Sequence, residues 1–475
     1  SRFLAIQEFG PNAIIYHEGA KYRVTRVNFT SDDASESAVG ISAKICNDCG
    51  YLHPVVSNPA PDTCENCGVV LDGTFTDLLR LQDVSTRREE RILSEEEERQ
   101  RLGYEVLTAV RYARKDGEVV RQIAEVNGDS GSHALLTYAQ AATIWRINLG
   151  WRQRERREVR GFPLDLSNGR WASENRLAEQ ESAHDDDAPS DDRIDSRYKR
   201  VIPFVEDTRN ALIWSPGEEL DEIAYLSLRD ALKRAIQVEY QLEDSELGAE
   251  LLPGHATHDP TAVLYYEAAE GGAGVLRQLV DDAAAVARIA RRALEICHFD
   301  PDSGDDLGHA PHASERCEAA CYDCLMSYAN QTAHLKLDRF AIRDHLIALA
   351  NGSTSTSSGP EPRHTTLERL HKACESELER DFVRLLDTRN LRLPTHAQRR
   401  PRDLPVRPDF LYETNGVTAA VYIDGPHHDY PDRHARDGEQ QDLLEAHGYT
   451  VVRFHHRDDW DAILNTFSWI FGSSS

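Results

Sequence analysis

The chain has 475 residues, of which 54 are Lys or Arg and 81 are Asp or Glu, a formal charge of −27. That length is enough for about three domains, and no apolar run approaches the roughly 20 residues a membrane helix needs. The acidity excludes a wholly basic nucleic-acid binder, because phosphate contact requires Lys and Arg facing the partner's backbone. With no export signal at its start, we expect a cytoplasmic, multidomain α/β protein without membrane contact. The opening Ser1-Arg2-Phe3-Leu4, which lacks Met, suggests a piece of a longer polypeptide.

Residues 1–200 read as a β-rich start carrying the first cysteine set. Cys46-x-x-Cys49 and Cys64-x-x-Cys67 are separated by 14 residues, the spacing of a zinc ribbon in which four thiolates close a tetrahedral site. Ligation would hold a segment as polar as Asn47 to Asp62, which has little to bury. The pairing of two such units in a chain without an export signal speaks against disulfides. A charged stretch from Ser94 to Arg114 is expected to be helical, and the run from Asp185 to Arg197 to be an acidic linker. Trp145, Trp151 and the arginines from Arg152 to Arg160 could stack on bases and touch phosphates. Glu155 and Glu158 interrupt that charge, so packing and solvation is the favoured reading.

Residues 201–350 read as mostly helical, with apolar residues at helical spacing from Leu226 to Val238 and an alanine-rich periodic run from Val275 to Ile296. They hold the second cysteine set: Cys317, Cys321 and Cys324, with Cys297 upstream as the evident fourth ligand. His298, His309 or His312 could replace Cys297, and an iron–sulfur cluster uses the same number of thiolates. The ninth cysteine, Cys374, falls on the apolar face of the next helix and is expected to be an unligated core thiol.

Residues 351–365 are rich in Ser, Thr, Gly and Pro and read as a flexible tether. From residue 366 onward the pattern changes again. Leu367, Leu370, Cys374, Leu378, Phe382 and Leu385 repeat at helical spacing from Thr366 to Leu386 and place Glu379 at the edge of an apolar stripe. Asp409 stands between Val406 and Phe410, where an unpaired carboxylate would be costly. The apolar run from Val417 to Ile423 closes on Asp424, and alternation along a strand turns Tyr422 and Asp424 away from Val421 and Ile423. Mg²⁺ or Mn²⁺ would neutralise these acids and activate a bound water. Arg399, Arg400, Arg402 and Arg407 crowd the approach to Asp409, either as a DNA-phosphate contact or as a solvated loop. Downstream, a helix from about Arg436 to Ala446 ends at Gly448, and Tyr449 to Phe454 reads as a buried strand.

The order helix, strands, helix, strand, together with Ser376-Glu377-Leu378-Glu379, Pro408-Asp409-Phe410, Ile423-Asp424-Gly425 and Gly448-Tyr449-Thr450-Val451-Val452-Arg453-Phe454, resembles the restriction-endonuclease-like superfamily with its PD-(D/E)xK core. Within it, the likeness is greatest to the very-short-patch-repair branch. It implies metal-dependent DNA cleavage with Glu379, Asp409 and Asp424 at the metal. Tyr422 stands where many relatives have Glu, and no lysine follows Asp424; in the short-patch branch a histidine commonly replaces it, which assigns that role to His427 or His428.

Leu264-Tyr265-Tyr266-Glu267, Gly271-Gly272-Ala273-Gly274, Ala320-Cys321-Tyr322-Asp323-Cys324-Leu325 and Tyr328-Ala329-Asn330-Gln331, with Tyr16-His17-Glu18-Gly19 and Trp145-Arg146-Ile147-Asn148 upstream, resemble the zinc-binding (MZB) domain of MrfA-type superfamily 2 DNA helicases and of DISARM phage defence. This likeness runs with gaps from about Phe3 to Leu349. It implies zinc at Cys297, Cys317, Cys321 and Cys324, DNA and a helicase motor in cis or in trans as partners, other defence-system subunits, and an antiviral role. No G-x-x-x-x-G-K-[ST] occurs in the chain, so these residues contain no P-loop motor.

Overall fold

Two long strands organise the larger part of the molecule. In this computed structural model, residues 2–18, 20–29, 39–56, 60–89, 103–115, 118–128, 131–184, 197–253, 259–268, 272, 274–357, 363–401, 404, 406–414, 417–425 and 440–472 are described. They divide into two units, one comprising Ser1–Pro54 and Thr74–Ser358, the other Val55–Gly73 and Gly359–Ser475.

In the first unit the relevant strands are β1 (Val39–Ile45), β2 (Phe75–Arg80), β3 (Tyr104–Tyr112), β4 (Gln122–Gly128), β5 (Gly131–Trp151), β6 (Phe162–Asp165) and β7 (Tyr198–Pro216). After helix α1 (Glu222–Tyr240) come β8 (Leu247–Leu252), β9 (Ala262–Glu267), helices α2 (Val275–Asp281), α3 (Ala285–Ile296) and α4 (Arg343–Ala350), and β10 (Ser353–Ser357). β5 and β7 run antiparallel, from Ala134 opposite Pro216 to Ile147 opposite Phe204, with a register shift between Ala139 and Ala142. Both are longer than any single neighbour, so each carries several. β4 and β3 share the free edge of β5, while β6, β2 and β9 share that of β7.

Helices α1 to α4 bury their apolar stripes against the β4, β5, β7 and β9 side chains. Leu136, Trp214 and Tyr265 meet Leu232, Ile236, Leu276, Ile289 and Leu346 in one core that continues into Cys297, Cys317, Cys324 and Leu325. The second cysteine set is thus fixed to the main core. α1 begins at Asp221, whose side chain accepts from the Ala224 N–H at 2.8 Å, a standard helix cap.

Several sequence expectations change here. Tyr104–Tyr112 is a strand, not the end of a charged helix, since its β-branched and aromatic residues pack along the pleat of β5. Region 201–350 contains the helices expected near Leu226–Val238 and Val275–Ile296, but most of β7 and all of β8 and β9 also lie in it. The expected tether contains β10, which pairs with β4 from Ser353 opposite Asn127 to Ser357 opposite Ile123. Most of the expected acidic linker, 185–196, lies outside the described residues. Trp145 stacks on Phe204 at 4.3 Å and Trp151 on Tyr104 at 4.5 Å, so both indoles pack within the protein.

The second unit contains α5 (Arg363–Ala373), α6 (Glu377–Thr388), β11 (His396–Ala397), β12 (Phe410–Thr414), β13 (Val417–Asp424), β14 (Thr450–His455) and α7 (Trp460–Thr466), with 440–446 also helical. The expected helix from Thr366 to Leu386 is two helices, because Ser376 turns the chain and caps α6. The sheet order is β11-β12-β13-β14, with only the last pair parallel. Val421 and Ile423 face a core containing Phe382, Phe410 and Phe454, whereas Tyr422 packs with Leu411 and Leu444 on the other face. Both faces of β13 are therefore covered, and Tyr422 is not a polar-facing residue. No described helix is long and apolar enough to cross a membrane.

Candidate metal centres

The two C-x-x-C segments fold as matching knuckles. The Cys46 N–H donates to the Tyr51 carbonyl and the Gly50 N–H to the Cys46 carbonyl, both at 3.0 Å. Cys64 and Gly68 repeat the pattern with Val69 at 2.8 Å and Cys64 at 2.9 Å. Gly50 and Gly68 have φ of 69° and 81°, which suits a residue without Cβ directly after the second cysteine of each pair. Cys46, Cys49, Cys64 and Cys67 are a donor set that fits structural zinc.

The second set gathers one of the combinations the sequence leaves open. His298, Cys317, Cys321 and Cys324 bring their donor atoms within 4.8 Å, and Cys297 is not in that group. Cys297 caps the end of α3, and its thiol is fully buried and pushed up to about 12 by that burial. One residue later the chain takes a left-handed turn, with His298 at φ 63°, which brings the His298 Nε2 to 3.2 Å from the Cys321 Sγ. Of the donors the sequence left open for the fourth place, His298 is the one whose ring nitrogen converges with the three sulfurs, while Cys297 lies buried close enough to feel the Cys317 and Cys321 charges. Burial lowers the pKa of His298, favouring the neutral imidazole that a metal requires. Burial raises those of Cys317 and Cys324, so their thiolates need a cation beside them. Three sulfurs and an imidazole suit zinc.

The fully buried guanidinium of Arg339 braces this loop. It donates to the carbonyls of Cys297 at 3.2 Å and Cys317 at 2.9 Å, pairs with Asp306 at 2.7 Å, and lies over the rings of Phe299 and Phe340. Arg234 reaches from α1 to the Tyr322 and Cys324 carbonyls. Neither arginine has a sequence signal, since each acts on backbone oxygen far away in the chain. Cys374 is buried, donates to the Leu370 carbonyl at 3.1 Å and belongs to neither metal group, as expected.

The expected acidic site gathers in part. Gln398 donates its amide to Glu379 Oε2 at 2.9 Å and to Asp409 Oδ1 at 3.2 Å, and the Ile423 N–H donates to Asp409 Oδ2 at 2.7 Å. Burial first, and then the Glu379 and Asp424 charges, push the Asp409 carboxyl up to about 7. Glu379 also accepts from the Ser376 hydroxyl and from the Glu375 N–H, which ties it to the start of α6. Asp424 pairs instead with Arg453 of β14 at 3.1 Å. The three acids do not form a group with all donor atoms within 4.8 Å, so the expected three-way convergence is incomplete. Glu379 and Asp409 nevertheless fit a cation such as Mg²⁺, which usually takes one or two carboxylates and completes its shell with water and phosphate oxygens.

The arginines expected at DNA are engaged within their own unit. Arg399 faces Glu65 at 3.6 Å, Arg400 faces Asp62 at 3.8 Å, and Arg407 faces Asp62 at 3.9 Å and pairs with Glu375. Asp62 and Glu65 flank Cys64, and sequence distance concealed that pairing. Arg402, His427 and His428 lie outside the described residues. Sequence reasoning did not single out Gln398, Arg453 and His456, whose N–H donates to the Asp424 carbonyl at 3.0 Å. The parallel register placing Asp424 beside His455 is the signal that finds His456.

No curated protein matches the chain. Among solved structures it is similar to the DUF1998 helicase MrfA bound to DNA, with a TM-score of 0.32 and 11% identity, covering 73% of this chain and 31% of that one. The chain thus spans about a third of the length of that helicase. Residues 228–325, from α1 through the whole second cysteine set, match the family model MZB, the MrfA Zn-binding domain.

Proposed function

We propose that the chain is the C-terminal or accessory part of a DNA helicase–nuclease system, in which zinc-held domains accompany a metal-dependent endonuclease unit of PD-(D/E)xK type. The observation that carries this reading is Asp409, a buried carboxyl held by two neutral donors beside Glu379, with its pKa raised to about 7. Such perturbed, clustered acids mark candidate sites. The helix, strands, helix, strand order from α6 to β14 supports the same reading.

Glu379 and Asp409 would hold Mg²⁺ or Mn²⁺, which supplies an acidified water and neutralises charge on a phosphoryl group. Arg453 of β14 pairs with Asp424 and would be available to orient a phosphate once Asp424 releases it, and the His456 N–H, just past the strand, holds the Asp424 carbonyl. His427 and His428 retain the role the resemblance assigns them. DNA, a superfamily 2 motor in cis or in trans and other defence-system subunits are the proposed partners, and the antiviral role follows from the MZB likeness alone.

The test is a plasmid-nicking assay with Mg²⁺ or Mn²⁺, run with the motor where one is found. Asp409→Ala is expected to reduce cutting by orders of magnitude. Equal cutting by that variant would show the site to be misassigned. The Asp424–Arg453 ion pair favours a second reading, a binding module that has kept the fold and lost the chemistry. DNA retained but never cut would establish that alternative.

A further inference from the structure

Gln398 is a buried residue with no role in the reading above. Its backbone is held at φ 50°, a left-handed conformation uncommon for any side chain but glycine. Its N–H donates to the Asp409 carbonyl at 2.8 Å, and its own carbonyl accepts from the Thr63 hydroxyl at 3.2 Å and from Arg407 Nε at 3.1 Å. The amide at the end of the same side chain spans Glu379 and Asp409. Thr63 is the residue directly before Cys64. A short path therefore leads from a zinc-ligand cysteine through Thr63 and Gln398 to both carboxylates, and every residue on it belongs to the second unit.

The knuckle segment docks by more than this hydroxyl. Asp62 and Glu65 meet Arg400, Arg407 and Arg399, and Gly68 lies so close to the Arg369 carbonyl that a Cβ there would come within 2.9 Å. Few of the described apolar side chains of Val55–Gly73 are buried, with Leu71 the clearest case, so hydrogen bonds and ion pairs rather than core packing seat it.

We propose that the Cys64–Cys67 knuckle is a positioning element of the carboxylate site, acting through Thr63 on Gln398, so that the seating of the knuckle and divalent-cation binding at Glu379 and Asp409 are coupled. This rests on the reading of that pair as a cation site. Gln398 draws one oxygen from each carboxylate toward a common point, as residues outside a metal's direct ligands commonly do. Thr63 and Arg407 fix the backbone from which that amide projects.

The experiment measures Mn²⁺ binding by calorimetry and electron paramagnetic resonance on the full chain, with zinc content and thermal unfolding measured in parallel. Thr63→Val and Gln398→Leu are expected to weaken Mn²⁺ binding by about tenfold while zinc content and melting stay near the parent values. Thr63→Ser, which restores the hydroxyl, is expected to bind Mn²⁺ as the parent does. Asp409→Ala serves as the reference and should abolish the site. If Asp409→Ala abolishes binding but Thr63→Val and Gln398→Leu bind as the parent does or more tightly, the coupling is overturned and the cation site stands. If Asp409→Ala leaves Mn²⁺ binding unchanged, the cation-site reading falls and this inference with it.

Discussion

The cysteine cluster at His298–Cys324 and the carboxylate pair at Glu379 and Asp409 both bury groups that would be anionic, yet they contain that charge by different means. Around the thiols, Arg339 and Arg234 donate to backbone carbonyls, and the sulfurs meet one another, the Cys321 N–H and the His298 imidazole. The carboxylates are met by protein donors: the Gln398 amide, the Ile423 N–H, the Ser376 hydroxyl and, at Asp424, Arg453. We expect the first arrangement to depend on its cation for folding; the second is satisfied by protein donors, and a cation there belongs to the proposed chemistry.

The largest expected effect tests the first half of that contrast. Cys321→Ser or His298→Ala removes one donor from the set of three sulfurs and one imidazole nitrogen, and each variant should lose about one zinc per chain and unfold several degrees or more below the parent. Cys297→Ala separates the structural ligand set from the one sequence spacing suggested. It should retain full zinc and cost about 1–2 kcal/mol, because it trims a buried side chain that is outside the group of converging donors. Zinc analysis beside thermal melts decides this; zinc loss in Cys297→Ala with retention in His298→Ala would restore the original assignment.

A smaller effect tests the second half. The folded protein holds the Asp409 proton up to about pH 7, whereas the unfolded chain releases it near 3.8. The group therefore contributes to stability at low pH, and that contribution is lost as pH rises through about 7. Asp409→Asn keeps the shape without the ionisation. It should flatten the fall in stability between pH 4 and 7 and be the more stable protein at pH 8, by on the order of a few kcal/mol. Urea denaturation across that range would sink the idea if parent and variant ran parallel. Arg453→Met should cost about 2 kcal/mol by leaving Asp424 part-buried without that guanidinium, read from the same denaturation curves.

Legibility in the sequence follows the same contrast. Cysteine pairs announce themselves, because few roles call for four closely spaced thiols in a chain without an export signal, and all four ribbon ligands were found from spacing. For the second set the spacing leaves Cys297 and His298 both open as the fourth donor, and the left-handed turn at His298 brings that imidazole into the group of converging donors. Asp409 could be found because an acid between Val406 and Phe410 conflicts with its setting. Its partner Gln398 could not, because an amide is unremarkable in sequence. Tyr104–Tyr112 was misread because charges upstream suggested a helix, while pairing with β5 settles the strand. For the four arginines the sequence leaves a phosphate contact and a solvated loop both open, and it could not show that Asp62 and Glu65, more than 300 residues away, face three of them.

The smallest expected effect concerns Cys374, the one cysteine outside both four-cysteine sets read from the sequence. Its thiol is 4% exposed beside Leu370, Phe382 and Leu386, and burial pushes it up to about 12, so it is protonated at neutral pH and poorly nucleophilic. It lies in the same unit as Asp409 and adds a weak repulsion there only when ionised, which its pKa prevents. Cys374→Ala should therefore leave zinc content and Mn²⁺ binding unchanged and cost about 1 kcal/mol through the small cavity it opens. A thiol-labelling reagent should react with it only after unfolding, at the rate at which the second unit opens. Rapid labelling in the native protein, or loss of zinc in the variant, would place Cys374 among the functional cysteines and erase the division between ligand and core thiols.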